Sequence, residues 1–383
     1  LKWYNKRKHY NEKAIRNLGV LYMQNYDLFL PSYCIGNDVY SKIKDICLEY
    51  GEKAVVIGGH KGMNAAKDKL IKAAEEAKIE ILDFVWFGND CTYDNVSLLS
   101  ENDAVKKCDY IFAVGGGKAL DTCKCLGQKI NKKVFTFPTI ASNCAACTTV
   151  SIMYNNDGTF KEPYFFLRPA VHTFIDTEIL TNAPEKYMWA GIGDTYSKYY
   201  ESTISAREEE LEHFKSLGVG MSHMCLHPLI IYGEKALEDN EKKICSYELE
   251  QTALVIIVTT AIVSIFLTRD HTPDYNSGLA HAVFYALTQF EEIEKNHIHG
   301  EVVAFGVLIL LLCDNAIRDF EKIYEFNKKI GLPVKLQDIG ISREQFNEII
   351  DKIPEMSDVK HYPYKVTASM LENALKVLEK KNI

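Results

Sequence analysis

The chain has 383 residues, 47% hydrophobic and 25% charged, with a net charge of -8 and 11 cysteines. That length exceeds one ordinary domain and suggests two. The composition is that of a soluble globular protein, and the acidic balance argues against nucleic acid or an anionic membrane as partner. The basic opening from Lys2 to Arg16 is short and mixed with Glu12, which reads as a solvated arm or helix face. Residues 1–20 are polar and show no secretory signal. The cysteines are scattered and odd in number, as expected of free thiols in a reducing cytoplasm. The longest apolar stretches, Ala253–Leu267 and Val302–Cys313, fall short of the ~20 residues a membrane span needs and read as core helices.

In chain order, the first half alternates short β-rich runs with helices. Lys53–Ile57 ends in Gly58-Gly59 and is followed by a helix over Ala65–Ala77. Ile79–Phe87 and Tyr110–Val114 read as strands, the second running into Gly115-Gly116-Gly117-Lys118. A helix over Ala119–Ile130 leads to a strand at Lys133–Phe137, closed by Pro138. Buried strands alternating with helices predict a parallel α/β sheet of Rossmann-like type. Tyr154–Phe166, with Asn155-Asn156-Asp157-Gly158 at its turn, predicts a hairpin attached to that sheet. After Thr173–Thr177 the period becomes helical, over Tyr187–Glu201, Arg207–Ser216, Glu234–Lys243, Ser246–Leu267, Gly278–Leu287, Glu301–Asn327, Ser342–Lys352 and Thr367–Lys381. The expected organisation is a dinucleotide-binding α/β domain over 1–180 and an all-α metal-binding domain over 181–383, with the active site in the cleft between them.

Three residues in distinctive frames carry the chemistry: Asp194 in Ala190-Gly191-Ile192-Gly193-Asp194-Thr195, His281 in Ala280-His281-Ala282, and His299 in His299-Gly300-Glu301. Two imidazoles and a carboxylate make a three-ligand set for a borderline divalent metal, with a coordination position left open for chemistry. Each has a bland reading as well: a core histidine, a helix cap, a buried acid seeking a partner. One shared metal satisfies all three, whereas His297 is expected to be exposed. Gly115, Gly116 and Gly117 with Lys118 follow a strand and open a helix, where backbone amides can face a pyrophosphate. Asp121 stands one turn further on, able to cap the turn or hydrogen-bond a cofactor. Thr139 and Ser142, after the next strand, lie at the sheet edge that receives ligands. Cys144-Ala-Ala-Cys147 has redox spacing but no second pair to complete a zinc knot.

Taken in order, Gly115–Lys118 with Asp121, Pro138–Ser142, Ala190–Asp194, Ala280–Ala282 and His299–Glu301 resemble the metal-dependent polyol dehydrogenases. This is the glycerol dehydrogenase branch of the iron-containing alcohol dehydrogenase superfamily, whose architecture is dehydroquinate synthase-like, and the resemblance runs from about Cys34 to Lys381. It implies that Asp194, His281 and His299 hold a divalent metal, zinc ahead of iron(II), because Tyr285 stands where the wider superfamily carries a fourth histidine ligand. It also implies that Gly117, Lys118, Asp121, Thr139, Ser142, Thr148, Val150 and Tyr154 contact NAD or NADP.

Two departures bear on specificity. Cys144 replaces a substrate-facing aspartate, a feature closer to hydroxycarboxylate dehydrogenase-like relatives, as are Ala190–Thr195 and His361-Tyr362. Gly59 replaces an aspartate expected near the adenosine ribose, leaving His60 and Lys61.

The expectation is an oxidoreductase on CH–OH groups, with the metal as Lewis acid on a small alcohol or keto substrate and hydride passing to or from nicotinamide C4. A homo-oligomer is the expected assembly. A 2-hydroxycarboxylate dehydrogenase is the principal alternative. Glycerol-1-phosphate dehydrogenase and dehydroquinate synthase-like lyases need extra Lys or Arg near the metal, in which the Asp194–Glu201 and Gly278–His299 frames read as poor.

Overall fold

The computed structural model describes residues 26–381, so the basic opening Lys2–Arg16 lies outside the described residues. Strands β1 (Tyr33–Gly36), β2 (Lys53–Gly58), β3 (Glu80–Trp86), β4 (Tyr110–Gly115), β5 (Lys133–Pro138) and β8 (His172–Asp176) form one six-stranded sheet. Its order is β1-β8-β5-β4-β2-β3 and every pairing is parallel. Parallel strands are covered on both faces and read as continuous apolar runs. Ala54–Ile57 and Tyr110–Val114 accordingly have no solvent exposure.

From β2 the chain runs outward to β3, then returns across β2 to β4. The loops leaving β2 and β4 therefore diverge, and the crevice at such a switch point is where open α/β sheets bind ligands. Helix α1 (His60–Ala77) follows β2 and α2 (Gly117–Ile130) follows β4. Both start earlier than the apolar period suggests, because Gly59 and Gly116 serve as extended N-caps.

Strands β6 (Val150–Tyr154) and β7 (Phe160–Phe165) form the expected hairpin, but as a separate antiparallel sheet rather than an extension of the large one. Side chains of α2 take the place of a neighbouring strand. Asp121 accepts from the Ile152 N–H at 3.1 Å, and Lys124 donates to the Val150 carbonyl at 2.7 Å. Asp121 and Lys124 are themselves a buried ion pair at 3.0 Å.

Beyond β8 the described chain is helical. Its main elements are α3 (Lys186–Ser205), His213–Met221, His227–Glu241, α4 (Tyr247–Leu267), α5 (Leu279–Leu287), α6 (His299–Cys313), Ile317–Ile330, Arg343–Ile349 and Ala368–Lys381. Two expectations need correction. Arg207–Ser216 is not one helix: Glu208 adopts φ 64, and the helix starts only at His213. Glu301–Asn327 breaks at Asn315, φ 56, a left-handed turn that asparagine tolerates better than most residues. Helix α4 is long and apolar enough to cross a membrane by length and composition, yet 72% of its apolar window is buried inside the protein. Helix α6 is apolar all round and fully enclosed from Val302 to Leu311, which makes it the axis of the helical part.

Removing Asp121 leaves the Lys124 ammonium buried without its counter-charge. Asp121→Ala is expected to destabilise the fold by on the order of 3 kcal/mol in denaturant unfolding. Amides of Val150–Tyr154 should lose hydrogen-exchange protection first, while those of β4 keep theirs.

Candidate metal centre and dinucleotide cleft

Asp194, His281 and His299 come from α3, α5 and the first turn of α6, and small residues let these helices approach. A Cβ on Gly193 would collide with the Gly300 carbonyl and lie 2.9 Å from Ala304 Cβ. One on Gly300 would collide with the Ala190 carbonyl and lie 3.0 Å from Asp194 Cβ. On the other side of α6, a Cβ on Gly306 would meet the Ala280 backbone, 2.9 Å from its Cα. The Gly-x-Gly-Asp and His-Gly-Glu frames are thus packing devices that set ligand-bearing residues side by side.

The result is a compact donor set. Asp194 Oδ1 lies 3.5 Å from His281 Nε2 and 3.3 Å from His299 Nε2, and all three ligand atoms fall within 4.8 Å of one another. Asp194 and His281 are mostly enclosed, whereas the His299 side chain is 41% exposed, so the cluster opens on the His299 side. Phe284 packs edge-on against His299 with ring centroids 4.3 Å apart. Tyr285 stands one turn after His281, with ring centroids 6.2 Å apart.

Glu201 is the principal residue the sequence reading missed. It is fully buried and its Oε2 accepts from His281 Nδ1 at 2.7 Å. Its Oε1 accepts from the Gly278 and His281 N–H groups at 2.8 and 3.0 Å, and the Tyr362 hydroxyl takes the Leu279 N–H at 2.7 Å. These bonds cap α5 and fix the imidazole, so that Nε2 faces the cluster. The signal was present, since Glu201 is two helical turns from Asp194 and so shares its face.

Electrostatics favour positive charge here. Burial opposes protonation of His281, but Glu201 and Asp194 outweigh it and raise the imidazole to about 10. Burial likewise opposes ionisation of Asp194, yet the two histidines hold its carboxyl well below the usual range. The carboxylates that raise His281 would also attract a dication in place of the proton, and the N,N,O donor set fits a borderline metal.

Two neighbours differ from expectation. His297 is half-buried, with Nδ1 2.8 Å from Glu301, whose other oxygen accepts from the Ile298 N–H and caps α6. The Asp194–Glu201 frame does hold a buried cation, Lys198, but it donates to the Asn276 carbonyl and side-chain oxygen.

The remaining predicted residues lie at the end of β4, on α2, in the segment after β5 and on β6. Gly115, at φ 142, turns the chain out of β4, and Gly116 leaves the first turn of α2 without a side-chain cap. Lys118 ion-pairs with Asp90 and lies over the Tyr154 ring, 4.8 Å from its centroid. Thr139 and Thr148 are buried, Thr148 with a hydroxyl that has no hydrogen-bond partner, while Ser142 and Val150 are half-buried. Asp121 faces the hairpin, committed to Lys124 and Ile152.

The segment Thr139–Cys144 bridges the two halves. A Cβ on Gly117 would meet the Asn143 amide at 2.7 Å, and one on Gly191 would meet the Ala141 carbonyl at 2.6 Å. Cys144 sits there half-buried, its thiol pushed up to about 11 by burial and hence neutral at pH 7. Burial raises Cys147 to about 12, so the pair lacks the low-pKa thiol of a redox motif.

Comparison with known proteins gives a consistent picture. Residues 31–174 match the family described as iron-containing alcohol dehydrogenase. A glycerol dehydrogenase of Thermotoga maritima is 28% identical over 366 residues, covering 92% of this chain and 96% of its own. Hydroxycarboxylate dehydrogenase A of Escherichia coli K12 is 28% identical over 336 residues, covering 85% of this chain and 89% of its own. The crystal structure of glycerol dehydrogenase from Schizosaccharomyces pombe superposes with a TM-score of 0.80 at 22% identity, covering 94% of this chain and 91% of that one.

Glu201 generates a direct test. Glu201→Gln should weaken divalent-metal affinity about 10–100-fold, the usual cost of losing the carboxylate behind a ligating imidazole. Calorimetry in buffers of different ionisation enthalpy should also show fewer protons released at pH 7, because the His281 proton is no longer held against the metal.

Proposed function

We propose that the chain is a metal-dependent, nicotinamide-linked dehydrogenase of a small alcohol or polyol, of the glycerol dehydrogenase-like branch of the iron-containing alcohol dehydrogenase superfamily, which its similarity to that family over residues 31–174 and to glycerol dehydrogenases over most of its length supports. In this reading Asp194, His281 and His299 hold one divalent ion. The supporting observation is the convergence of their ligand atoms within 4.8 Å, behind which a buried carboxylate orients one imidazole. A metal bound there supplies a Lewis acid for the substrate oxygen, and a dinucleotide supplies the hydride acceptor.

The chain's own residues do the positioning. Gly115–Gly117 and Lys118 receive the pyrophosphate at the start of α2, while Thr139, Ser142, Thr148, Val150 and Tyr154 line the path toward nicotinamide. Asp121 acts here through the hairpin it anchors. Segment Thr139–Cys144 presses against both Gly117 and Gly191, which sets the cofactor cradle against the metal centre and narrows the gap that water can enter. Glu201 keeps His281 Nδ1 protonated, leaving Nε2 as the donor.

Zinc is our choice of metal over iron, since Tyr285 replaces a possible fourth imidazole. Residues 1–180 are assigned to dinucleotide binding and 181–383 to metal and substrate. Free thiols fit a cytoplasmic enzyme, and a homo-oligomer is the proposed assembly.

NADP should be accepted at least as well as NAD. Gly59 brings no carboxylate to the end of β2, the exposed start of α1 carries His60 stacked on Trp86, and Asp90 is occupied by Lys118. A second reading, oxidation of 2-hydroxy acids, is favoured by one observation: Cys144 is a neutral thiol, so no carboxylate from that position repels an acidic substrate.

The tests separate these statements. Chelation should abolish turnover and Zn2+ restore it; His281→Ala or His299→Ala should abolish it with the fold intact by circular dichroism. Persistence of activity in either variant would refute the metal assignment. Gly59→Asp should shift the NADP/NAD ratio of kcat/KM toward NAD. Higher kcat/KM for glycerol oxidation than for 2-oxobutyrate reduction supports the polyol reading, and the reverse supports the hydroxy-acid reading.

A further inference from the structure

Away from the metal centre, the fold gathers three sulfur atoms from three separate elements. Cys91 lies in the loop after β3, Cys125 on α2 and Met153 on β6. Met153 Sδ is 3.5 Å from Cys91 Sγ and 3.5 Å from Cys125 Sγ. None of the three exceeds 6% exposure, and all belong to the main apolar core. We propose that Cys91, Cys125 and Met153 form a binding site for one soft monovalent metal ion of the Cu(I) class.

The donor chemistry selects the ion. Two thiols and a thioether are soft ligands that favour Cu(I) over the hard cations and over an imidazole–carboxylate site. The spacing is also suitable, since sulfurs 3.5 Å apart can share an ion at ~2.3 Å with S–metal–S angles of roughly 100°. Charge limits the choice further. One thiolate neutralises a monovalent ion, so the buried complex carries no net charge, whereas a dication would require both thiols to ionise in an apolar core.

The step balances without redox chemistry: Cys125 releases its proton to solvent as its Sγ–metal bond forms, and the Cys91 thiol and Met153 thioether complete the shell.

The site would also matter mechanically. It ties the helix that opens the dinucleotide cradle to the hairpin strand carrying Val150 and Tyr154, beside the backbone bond from the Tyr154 N–H to the Cys91 carbonyl at 2.9 Å. A bound ion should therefore stiffen that strand.

The full-length protein, reduced and anaerobic, would be titrated with Cu(I) as its acetonitrile complex against a chromophoric chelator. We expect one tight equivalent with a sulfur-only shell near ~2.3 Å in X-ray absorption and a rise in Tm. Met153→Leu, which preserves core volume, should weaken binding at least tenfold and abolish the Tm rise, and Cys125→Ala should remove the tight equivalent. Cys34→Ala, at a buried thiol elsewhere, should change neither. Identical uptake by wild type, Met153→Leu and Cys125→Ala would overturn the proposal. So would nitrogen or oxygen in the first shell, or a Cys91–Cys125 disulfide forming with no metal retained.

Discussion

The close approach of α3, α5 and α6 is the constraint on which the site depends. A side chain at Gly193, Gly300 or Gly306 would collide with the backbone of the facing helix, so these glycines permit the contact. Only then do a carboxylate from α3 and imidazoles from α5 and α6 share one small volume. A glycine inside a helix costs roughly 0.5–1 kcal/mol relative to alanine, a cost the enclosed apolar surface of α6 offsets many times over. The motif glycines are therefore part of the candidate metal site even though they contribute no ligand.

Electrostatics complete what packing begins. Asp194 and Glu201 flank His281 from opposite sides, one at each ring nitrogen. The carboxylate at Nδ1 fixes the tautomer and the one at Nε2 shares the site with the imidazole. Protons and a metal ion compete for the same nitrogens, so the same field that raises the His281 pKa also attracts a divalent cation. The proposed cradle for the dinucleotide is built separately, at the switch point of the sheet, and Thr139–Cys144 is the contact between the two.

Much of this was legible in the sequence, and the limits are physical. The buried parallel strands announced themselves as unbroken apolar runs, and Gly115–Lys118 as a strand-to-helix turn. The frames of Asp194, His281 and His299 stood out because glycine and histidine are unusual inside apolar helices. The helix breaks at Glu208 and Asn315 were not legible, since both turn the chain through positive φ without the glycine or proline that marks such a break in a sequence. The separate hairpin sheet was missed because its edge is satisfied by Asp121 and Lys124, side chains about 30 residues away. Glu201 was available from helical spacing alone, but its partner on α5 becomes apparent only once the helices meet. The three-sulfur cluster has no sequence signature at all, because its members are joined solely by the fold.

The most direct test is an anomalous-difference map from crystals of the zinc-loaded protein, recorded on both sides of the zinc edge. One peak bonded to Asp194, His281 Nε2 and His299, with an open position toward the Thr139–Cys144 segment, is the predicted result. A peak elsewhere, or no peak at these three side chains with activity retained, would contradict it.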